Sequence, residues 1–242
     1  METKNYIIDS IRKDPADFYR LVLIPQDGGE VFNFLPGQFA RIGIPSIDKP
    51  NTGRQFSIAS SPSTRTHLEF GFKVYGSWTE TLSKQSVGST LEIMGPLGRF
   101  VWNDDIPYAV FLSGGIGITP FVSMMRHMEE AHYDGEVKLI YGSRTPETIA
   151  YKDELTTLAQ KLNQASIVDV FSDIPAETQV KGYRGFVTED ILKKEVDFSR
   201  KPTFFLCGPP VFVNLMNALL KSMDVPPIQI HMELFTAPPP RS

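Results

Sequence analysis

The sequence pattern that most restricts the fold changes character near residue 103. Before this point, short apolar runs alternate with Pro, Gly and Asp turn signals, which indicates an antiparallel barrel or sandwich. After the polar segment 102–107, strand-like runs alternate with helical patterns, which is typical of right-handed βαβ units on a parallel sheet. We therefore predict two domains, at 1–103 and 107–235, followed by a Pro-rich tail at 236–242.

The predicted elements follow this division. In the first domain the predicted strands are Phe18–Ile24, Gln38–Ile44, Phe56–Ala59, His67–Tyr75 and Thr90–Met94, and a short helix starts at Thr79. In the second, the strands are Tyr108–Ser113, Val137–Tyr141, Ser166–Phe171, Thr203–Cys207 and Ile228–Leu234, and the helices are Thr119–Ala131, Lys152–Asn163, Thr188–Lys194 and Pro210–Met223. Ligands of such a sheet bind at the carboxyl ends of its strands.

Composition excludes several classes of function. The net charge is -4 and the basic residues are scattered, so we expect no nucleic-acid partner. A single cysteine forms no disulfide within the chain and holds no Cys-ligated iron–sulfur cluster. The four histidines lack metal-ligand spacing, so we predict no metal site. The longest apolar stretch, 109–125, is broken by glycines and Pro120, and the first residues lack the order of a signal peptide. We expect no membrane span and a cytoplasmic protein.

A glycine-rich turn follows the first strand of the predicted α/β domain. Gly114, Gly115 and Gly117 lead directly into a helix that begins near Thr119 and Pro120. Glycine allows a ligand to approach the backbone closely, and a helix N-terminus offers N–H groups to a pyrophosphate. The spacing does not match the Rossmann fingerprint, and a tight turn without a ligand is the alternative.

Two segments of the predicted barrel carry groups suited to a phosphate and a planar ring. In the first, Arg54 is suited to a phosphate, Phe56 to a planar ring and Ser57 to a ring nitrogen, while an ordinary amphipathic strand through Gln55 is the alternative. In the second, Gly76–Leu82 combines a glycine with a Thr79 N-cap, and a plain capped helix is the alternative.

One further motif lies at the predicted ligand-binding edge of the sheet. Cys207, Gly208 and Pro209 follow a strand and precede a helix. The simpler explanation for this residue is a buried structural cysteine.

These motifs occur in an order that resembles the ferredoxin–NADP reductase superfamily over nearly the whole chain. The resemblance rests on Arg-Gln-Phe-Ser at 54–57, Gly-x-x-Thr-x-x-Leu at 76–82, Gly-Gly-x-Gly-x-Thr-Pro at 114–120 and Cys-Gly-Pro at 207–209. It implies a Greek-key antiparallel β-barrel that binds FAD, followed by an α/β parallel-sheet domain that binds NAD(P). Phe56 departs from the tyrosine that is commoner in the family, so a hydroxyl contact is lost.

The resemblance also implies the roles of individual residues. Ser57, Cys207 and Glu233 are the expected catalytic residues. The expected cofactor-binding residues are Arg54, Gln55, Phe56, Ser57, Lys73, Val74, Gly76, Ser77, Trp78, Thr79, Gly114, Gly115, Gly117, Thr119, Pro120, Ser143, Arg144, Asp173, Cys207, Gly208, Pro209 and Phe235. Relatives that use NADPH have an arginine where this chain has Asp173, whereas Arg144 is suited to hold a 2′-phosphate. We expect a modest preference for NADH.

The implied function is a flavin-dependent NAD(P)H oxidoreductase. It would take hydride from NADH or NADPH onto bound FAD and pass electrons to a separate acceptor protein, such as an iron–sulfur protein. Two alternatives stay open. One is a reductase that uses free flavin as a substrate, and the other is a flavin-bearing electron-transfer subunit of a larger complex.

Overall fold

The computed structural model describes residues 2–49, 52–175 and 177–235, so the predicted tail at 236–242 lies outside the described residues. Internal contacts divide the chain into two compact units. One combines Met1–Asn103 with Thr119–Ala131, and the other combines Asp104–Ile118 with His132–Ser242. The helix at 119–131 is therefore grouped with the first unit, although it follows the first strand of the second.

The first unit is a nearly closed antiparallel barrel. In the described residues its strands are β1 (Glu2–Asp14), β2 (Phe18–Pro25), β3 (Phe39–Gly43), β4 (Arg54–Ser57), β5 (Leu68–Phe72) and β6 (Thr90–Leu97), in the spatial order β4-β3-β6-β1-β2-β5. A bridge between Ile58 and Phe70 joins the two outer strands of that order. The predicted barrel is confirmed, and the sandwich alternative is excluded.

The long strand β1 was missed in the sequence. It pairs with both β2 and β6 and is therefore central to the barrel. Only Tyr6 and Ile8 of this strand are fully buried, and most of its other residues are polar. With so few apolar residues, the alternation that marks a half-buried strand is too weak to detect.

Two helices complete the first unit. Helix α1 (Ser77–Ser83) begins two residues before the predicted Thr79, which corrects that start: Gly76 is the N-cap, at φ 80°, and no side chain caps the helix. Helix α2 (Thr119–Glu130) starts where the sequence predicted, with Pro120 in its first turn. Its residues Phe121, Val122, Met124 and Met125 are buried.

The second unit is a parallel sheet with helices. In the described residues its strands are β7 (Tyr108–Gly114), β8 (Glu136–Ser143), β9 (Ala165–Phe171), β10 (Tyr183–Arg184), β11 (Thr203–Gly208) and β12 (Ile230–Leu234), in the spatial order β10-β9-β8-β7-β11-β12. The helices are α3 (Lys152–Lys161), α4 (Glu189–Glu195) and α5 (Pro210–Ser222). The predicted α/β fold is confirmed, and among the described strands of this unit only the two-residue β10 was not predicted.

The strand order places the ligand-binding edge. After β7 the chain moves outward through β8 and β9, and then returns to the other side of β7 with β11. Such a reversal opens a crevice at the carboxyl ends of the two strands that flank it. In this chain those ends are the glycine turn after β7 and the Cys-Gly-Pro motif at the end of β11.

Candidate functional site

Strand β4 presents its predicted flavin residues in an alternating pattern. Gln55 is exposed, Arg54 and Phe56 are half-buried, and Ser57 is buried. The Phe56 ring stacks on Trp78 at 5.8 Å and meets the edge of Phe72 at 5.9 Å. The Arg54 guanidinium lies 5.9 Å from the centre of the Trp78 ring. Arg54 is thus held by a cation–π contact while its head remains partly accessible.

The Trp78 side chain lies inside the barrel. Its side chain is only 5% exposed, and the indole N–H donates a hydrogen bond of 2.9 Å to the Asp48 carboxylate. A buried indole offers little surface to a ligand. In this structure the Trp78 ring therefore supports Arg54 and Phe56 from inside the barrel, and the cofactor contact predicted for this residue stays a prediction.

The segment between β5 and α1 is open to solvent. Val74, Tyr75, Gly76 and Ser77 are exposed, and Lys73 is half-buried. A methyl group placed on Gly76 would meet no atom within 4 Å. The Thr79 hydroxyl accepts from the Tyr75 N–H at 2.7 Å and donates to the Gly76 carbonyl at 3.1 Å, which fixes the bend. The exposed apolar side chains and the open glycine fit a flat, partly apolar ligand.

The chain directly after Ser57 is fixed by residues that the sequence analysis missed. On α2, Arg126 donates to the Ala59 carbonyl at 2.8 Å and to the Glu69 carboxylate at 3.0 Å, and the Ser123 hydroxyl donates to the Ser60 carbonyl at 2.8 Å. The signal was available in the sequence, since Ser123 and Arg126 are three residues apart in a helix whose other residues at 121–125 are apolar.

The glycines after β7 and at the end of β11 are accommodated for different structural reasons. A methyl group on Gly114 would lie 2.9 Å from the Phe212 ring, and one on Gly117 would lie 2.4 Å from the Cys207 carbonyl oxygen. One on Gly208 would lie 2.9 Å from the Gly114 carbonyl oxygen. These three glycines permit close packing within the protein. Gly115 alone among them, at φ 55°, has nothing within 4 Å and faces open space.

The ends of the central strands share a row of polar side chains. Tyr141 on β8 pairs with Ser113 on β7, Ser113 pairs with Cys207 on β11, and Cys207 pairs with Glu233 on β12. The alternate residues of these strands, such as Leu112 and Leu206, belong to the core on the opposite face. Strands of a parallel sheet are normally apolar on both faces, so this row is informative.

Two members of this row have constrained chemistry. Burial, with a smaller contribution from the Glu233 charge, raises the pKa of the fully buried Cys207 thiol well above its ordinary value. The thiol is therefore neutral near pH 7 and suited to packing rather than to nucleophilic attack. The Ser113 hydroxyl is buried and has no hydrogen-bond partner among the described residues.

The two charges predicted to choose between the dinucleotides are neighbours. The Asp173 N–H donates to the Arg144 carbonyl at 2.9 Å, and the Ser172 N–H donates to the Ser143 carbonyl at 3.1 Å. Arg144 and Asp173 are exposed, whereas Ser143 is buried. Arg144, which would attract a 2′-phosphate, and Asp173, which would repel it, therefore lie in the same local region.

The remaining predicted residues lie at two helix starts and at the end of β12. Pro209 is exposed as the N-cap of α5, and the Phe235 N–H donates to the Gly208 carbonyl at 3.3 Å. Thr119 and Pro120 are buried at the start of α2. The roles predicted for all of these residues stay predictions. Among the described residues, no helix combines the length and the apolar character needed to cross a membrane.

Comparisons with known proteins agree with the two units. A family model described as an oxidoreductase FAD-binding domain matches residues 13–102, and one described as an oxidoreductase NAD-binding domain matches residues 111–218. These matches define an oxidoreductase that binds FAD and a nicotinamide dinucleotide. The chain belongs to the ferredoxin–NADP reductase superfamily.

Individual relatives are reductases. The reductase component of propane 2-monooxygenase from Mycolicibacterium smegmatis is 30% identical over 240 residues, covering 96% of this chain and 67% of that protein. The component of the same name from Rhodococcus jostii is 34% identical over 214 residues, with 86% and 57% covered. The crystal structure of a cytochrome P450 reductase from Amycolatopsis superposes with a TM-score of 0.84 at 25% identity, covering 98% of this chain and 70% of that one. The chain thus spans between about half and two thirds of the length of these curated relatives.

Proposed function

We propose that this protein oxidises NADH, holds FAD as its redox group and delivers electrons to a separate acceptor protein. The observation that carries the proposal is the presence, in one chain, of a flavin-type barrel and a parallel sheet whose glycine turn and Cys-Gly-Pro motif meet at neighbouring strand ends. The printed names of the relatives, reductase components of an oxygenase, support an acceptor outside the chain. The single cysteine of the sequence cannot ligate an iron–sulfur cluster, so electrons would leave these residues from the flavin.

The barrel residues fit a bound FAD. When bound, FAD accepts a hydride from a nicotinamide and releases the electrons one at a time. Arg54, steadied by Trp78, would hold a phosphate oxygen, and the exposed Val74 and Tyr75 would lie against an apolar ring. Ser57 is our candidate donor to a flavin ring nitrogen, and its backbone continues into the segment fixed by Arg126.

The sheet residues fit a nicotinamide dinucleotide. The open face of Gly115 permits close approach of a pyrophosphate, and the neutral Cys207 thiol beside Glu233 would flank the nicotinamide. Phe235 extends from β12 at the same edge. None of these groups needs to transfer a proton. They contribute by aligning the two reacting rings, which lowers the barrier of a bimolecular step by several kcal/mol.

The test begins with the purified holoprotein. Gel filtration followed by acid release should give near-stoichiometric FAD, and anaerobic mixing with NADH should bleach the flavin absorbance in a single turnover. A one-electron acceptor such as ferricyanide should then restore the absorbance catalytically. If flavin is present but is reduced by neither NADH nor NADPH, the proposal is refuted.

A free-flavin reductase is the second candidate. It is favoured by Phe56, which lacks a hydroxyl and whose ring already packs against Trp78 and Phe72. This candidate predicts a colourless protein after gel filtration and saturable dependence of NADH oxidation on added FMN or FAD. Retention of FAD through gel filtration would exclude it.

A further inference from the structure

The two loops that are predicted to bind the dinucleotide are joined by one buried hydroxyl. Tyr141 lies in β8 and is fully buried. Its hydroxyl donates to the Gly115 carbonyl at 2.9 Å and accepts from the Ala150 N–H at 3.1 Å. Gly115 belongs to the turn after β7, and Ala150 belongs to the loop after β8 that also carries Arg144. A single side chain therefore connects the two loops beyond the ends of their paired strands.

The turn begins at Gly115, which adopts φ 55° and starts a short 3₁₀ helix over Gly115–Ile118. Glycine populates positive and negative φ almost equally, and a methyl group added to Gly115 would meet no atom within 4 Å, so no side-chain packing holds this residue in place. The bond to Tyr141 fixes its carbonyl. Because a peptide unit is planar and trans, fixing this carbonyl also fixes the direction of the Ile116 N–H, which points the opposite way. The orientation of the turn toward a ligand thus depends on Tyr141.

The loop after β8, which contains Ala150, has a well-defined conformation of its own. Ala150 is fully buried, and the next residue, Tyr151, has φ 59° and is the N-cap of α3. Thr145 and Thr148 form a capping box in the same loop, where the Thr148 hydroxyl accepts from the Thr145 N–H at 3.0 Å. The Tyr141 hydroxyl therefore connects the glycine turn to a loop with its own hydrogen bonds, and the loop acts as a fixed reference.

We propose that Tyr141 is a positioning residue that holds the Gly115 turn in the conformation that binds the nicotinamide dinucleotide. This inference rests on the proposed function for its ligand. It adds that the hydroxyl of Tyr141, which reaches no ligand itself, determines dinucleotide affinity. Loss of the hydroxyl would let the glycine turn sample other conformations, and binding would then have to select the competent one.

A chemically matched control lies at the opposite end of the same strands, just before β8. Tyr133 is also buried, and its hydroxyl donates to the Ile106 carbonyl at 2.7 Å, with the Glu136 carbonyl at 3.4 Å. Tyr141→Phe and Tyr133→Phe each remove one hydroxyl and leave a backbone carbonyl without that donor, and Tyr141→Phe also leaves the Ala150 N–H without its acceptor. Both variants should lower the melting temperature, so stability alone does not separate the two positions.

The experiment compares holoprotein of the parent and both variants. Tyr141→Phe should raise the KM for NADH and the Kd for NAD⁺ about tenfold, with kcat at saturating NADH within about twofold of the parent and with unchanged flavin content. Tyr133→Phe should leave both constants unchanged. An unchanged KM in Tyr141→Phe, or an equal rise in Tyr133→Phe, would overturn the proposal.

Amide hydrogen exchange of the same proteins without nicotinamide gives a second, independent readout. Residues 114–118 should exchange faster in Tyr141→Phe than in the parent, and should exchange at the parent rate in Tyr133→Phe. Unchanged exchange of this segment in Tyr141→Phe would also refute the restraint. If the parent neither binds nor oxidises NADH or NADPH, the proposed function fails, whereas the exchange data still decide whether Tyr141 restrains the turn.

Discussion

The sharpest prediction concerns Asp173 and the choice between NADH and NADPH. Asp173 is exposed, and its N–H is bonded to the backbone of Arg144, so one carboxylate and one guanidinium flank the same region. A 2′-phosphate carries close to two negative charges. At about 6 Å in a medium close to water, repulsion by one carboxylate costs about 1 kcal/mol, which corresponds to a preference for NADH of about five- to tenfold. Because both charges are exposed, the preference should decrease at high salt.

Replacement by arginine changes the sign of this interaction. Asp173→Arg should move the ratio of kcat/KM for NADH to that for NADPH by about 30- to 100-fold toward NADPH, since repulsion becomes attraction of similar size. Asp173→Asn should give about half of that change in free energy. Steady-state kinetics with both dinucleotides at low and high salt measure the ratio directly.

The control is a charge reversal far from this edge. Asp134 is exposed just before β8, at the end of the sheet opposite to Asp173. Asp134→Arg makes the same change in net charge and should leave the ratio unchanged. The reasoning fails if the parent favours NADPH, in which case Arg144 decides the specificity, or if Asp134→Arg shifts the ratio as much as Asp173→Arg.

Three further predictions concern the stability of the two units and flavin binding. Arg54→Ala should weaken flavin binding about ten- to hundredfold, measured as flavin retained after dialysis, whereas Arg65→Ala, which breaks a surface ion pair with Glu30, should retain it. Gly117→Ala should lower the free energy of unfolding, measured in urea, by about 3 kcal/mol because its methyl group meets the Cys207 carbonyl. Gly115→Ala, whose methyl group meets no atom, should lower it by only about 1 kcal/mol. Equal losses in the two variants would contradict the packing argument. Ser113→Ala should raise the melting temperature by about 2–4 °C because it removes a buried hydroxyl without a partner, and a lower melting temperature would indicate a partner for that hydroxyl.

The sequence by itself determined the class of fold and the edge of the sheet at which we predict the ligands to bind. Turn signals between short apolar runs predicted the barrel, and strand–helix alternation after residue 107 predicted the parallel sheet, because both depend on local periodicity. The glycine turn and the Cys-Gly-Pro motif follow strands, so their position at one edge of a parallel sheet follows from chain direction alone.

Only the tertiary structure decided which residues work together. Strand β1 has too few apolar residues to be detected locally, and it is defined by its pairing with β2 and β6. The burial of the Trp78 indole in the barrel core, beside Arg54 and Phe56, was also not apparent in the sequence. Arg126 is grouped with the barrel although it follows the dinucleotide turn in sequence.

The glycines and Tyr141 make the same point about the site itself. In the sequence Gly114, Gly115 and Gly117 are equivalent, but two of them permit contacts within the protein and only Gly115 faces open space. Tyr141 is 26 residues away from the carbonyl that it holds. Local periodicity reports burial and direction, whereas contacts between distant segments depend on how strands are ordered and registered in the sheet, and this information exists only in the folded chain.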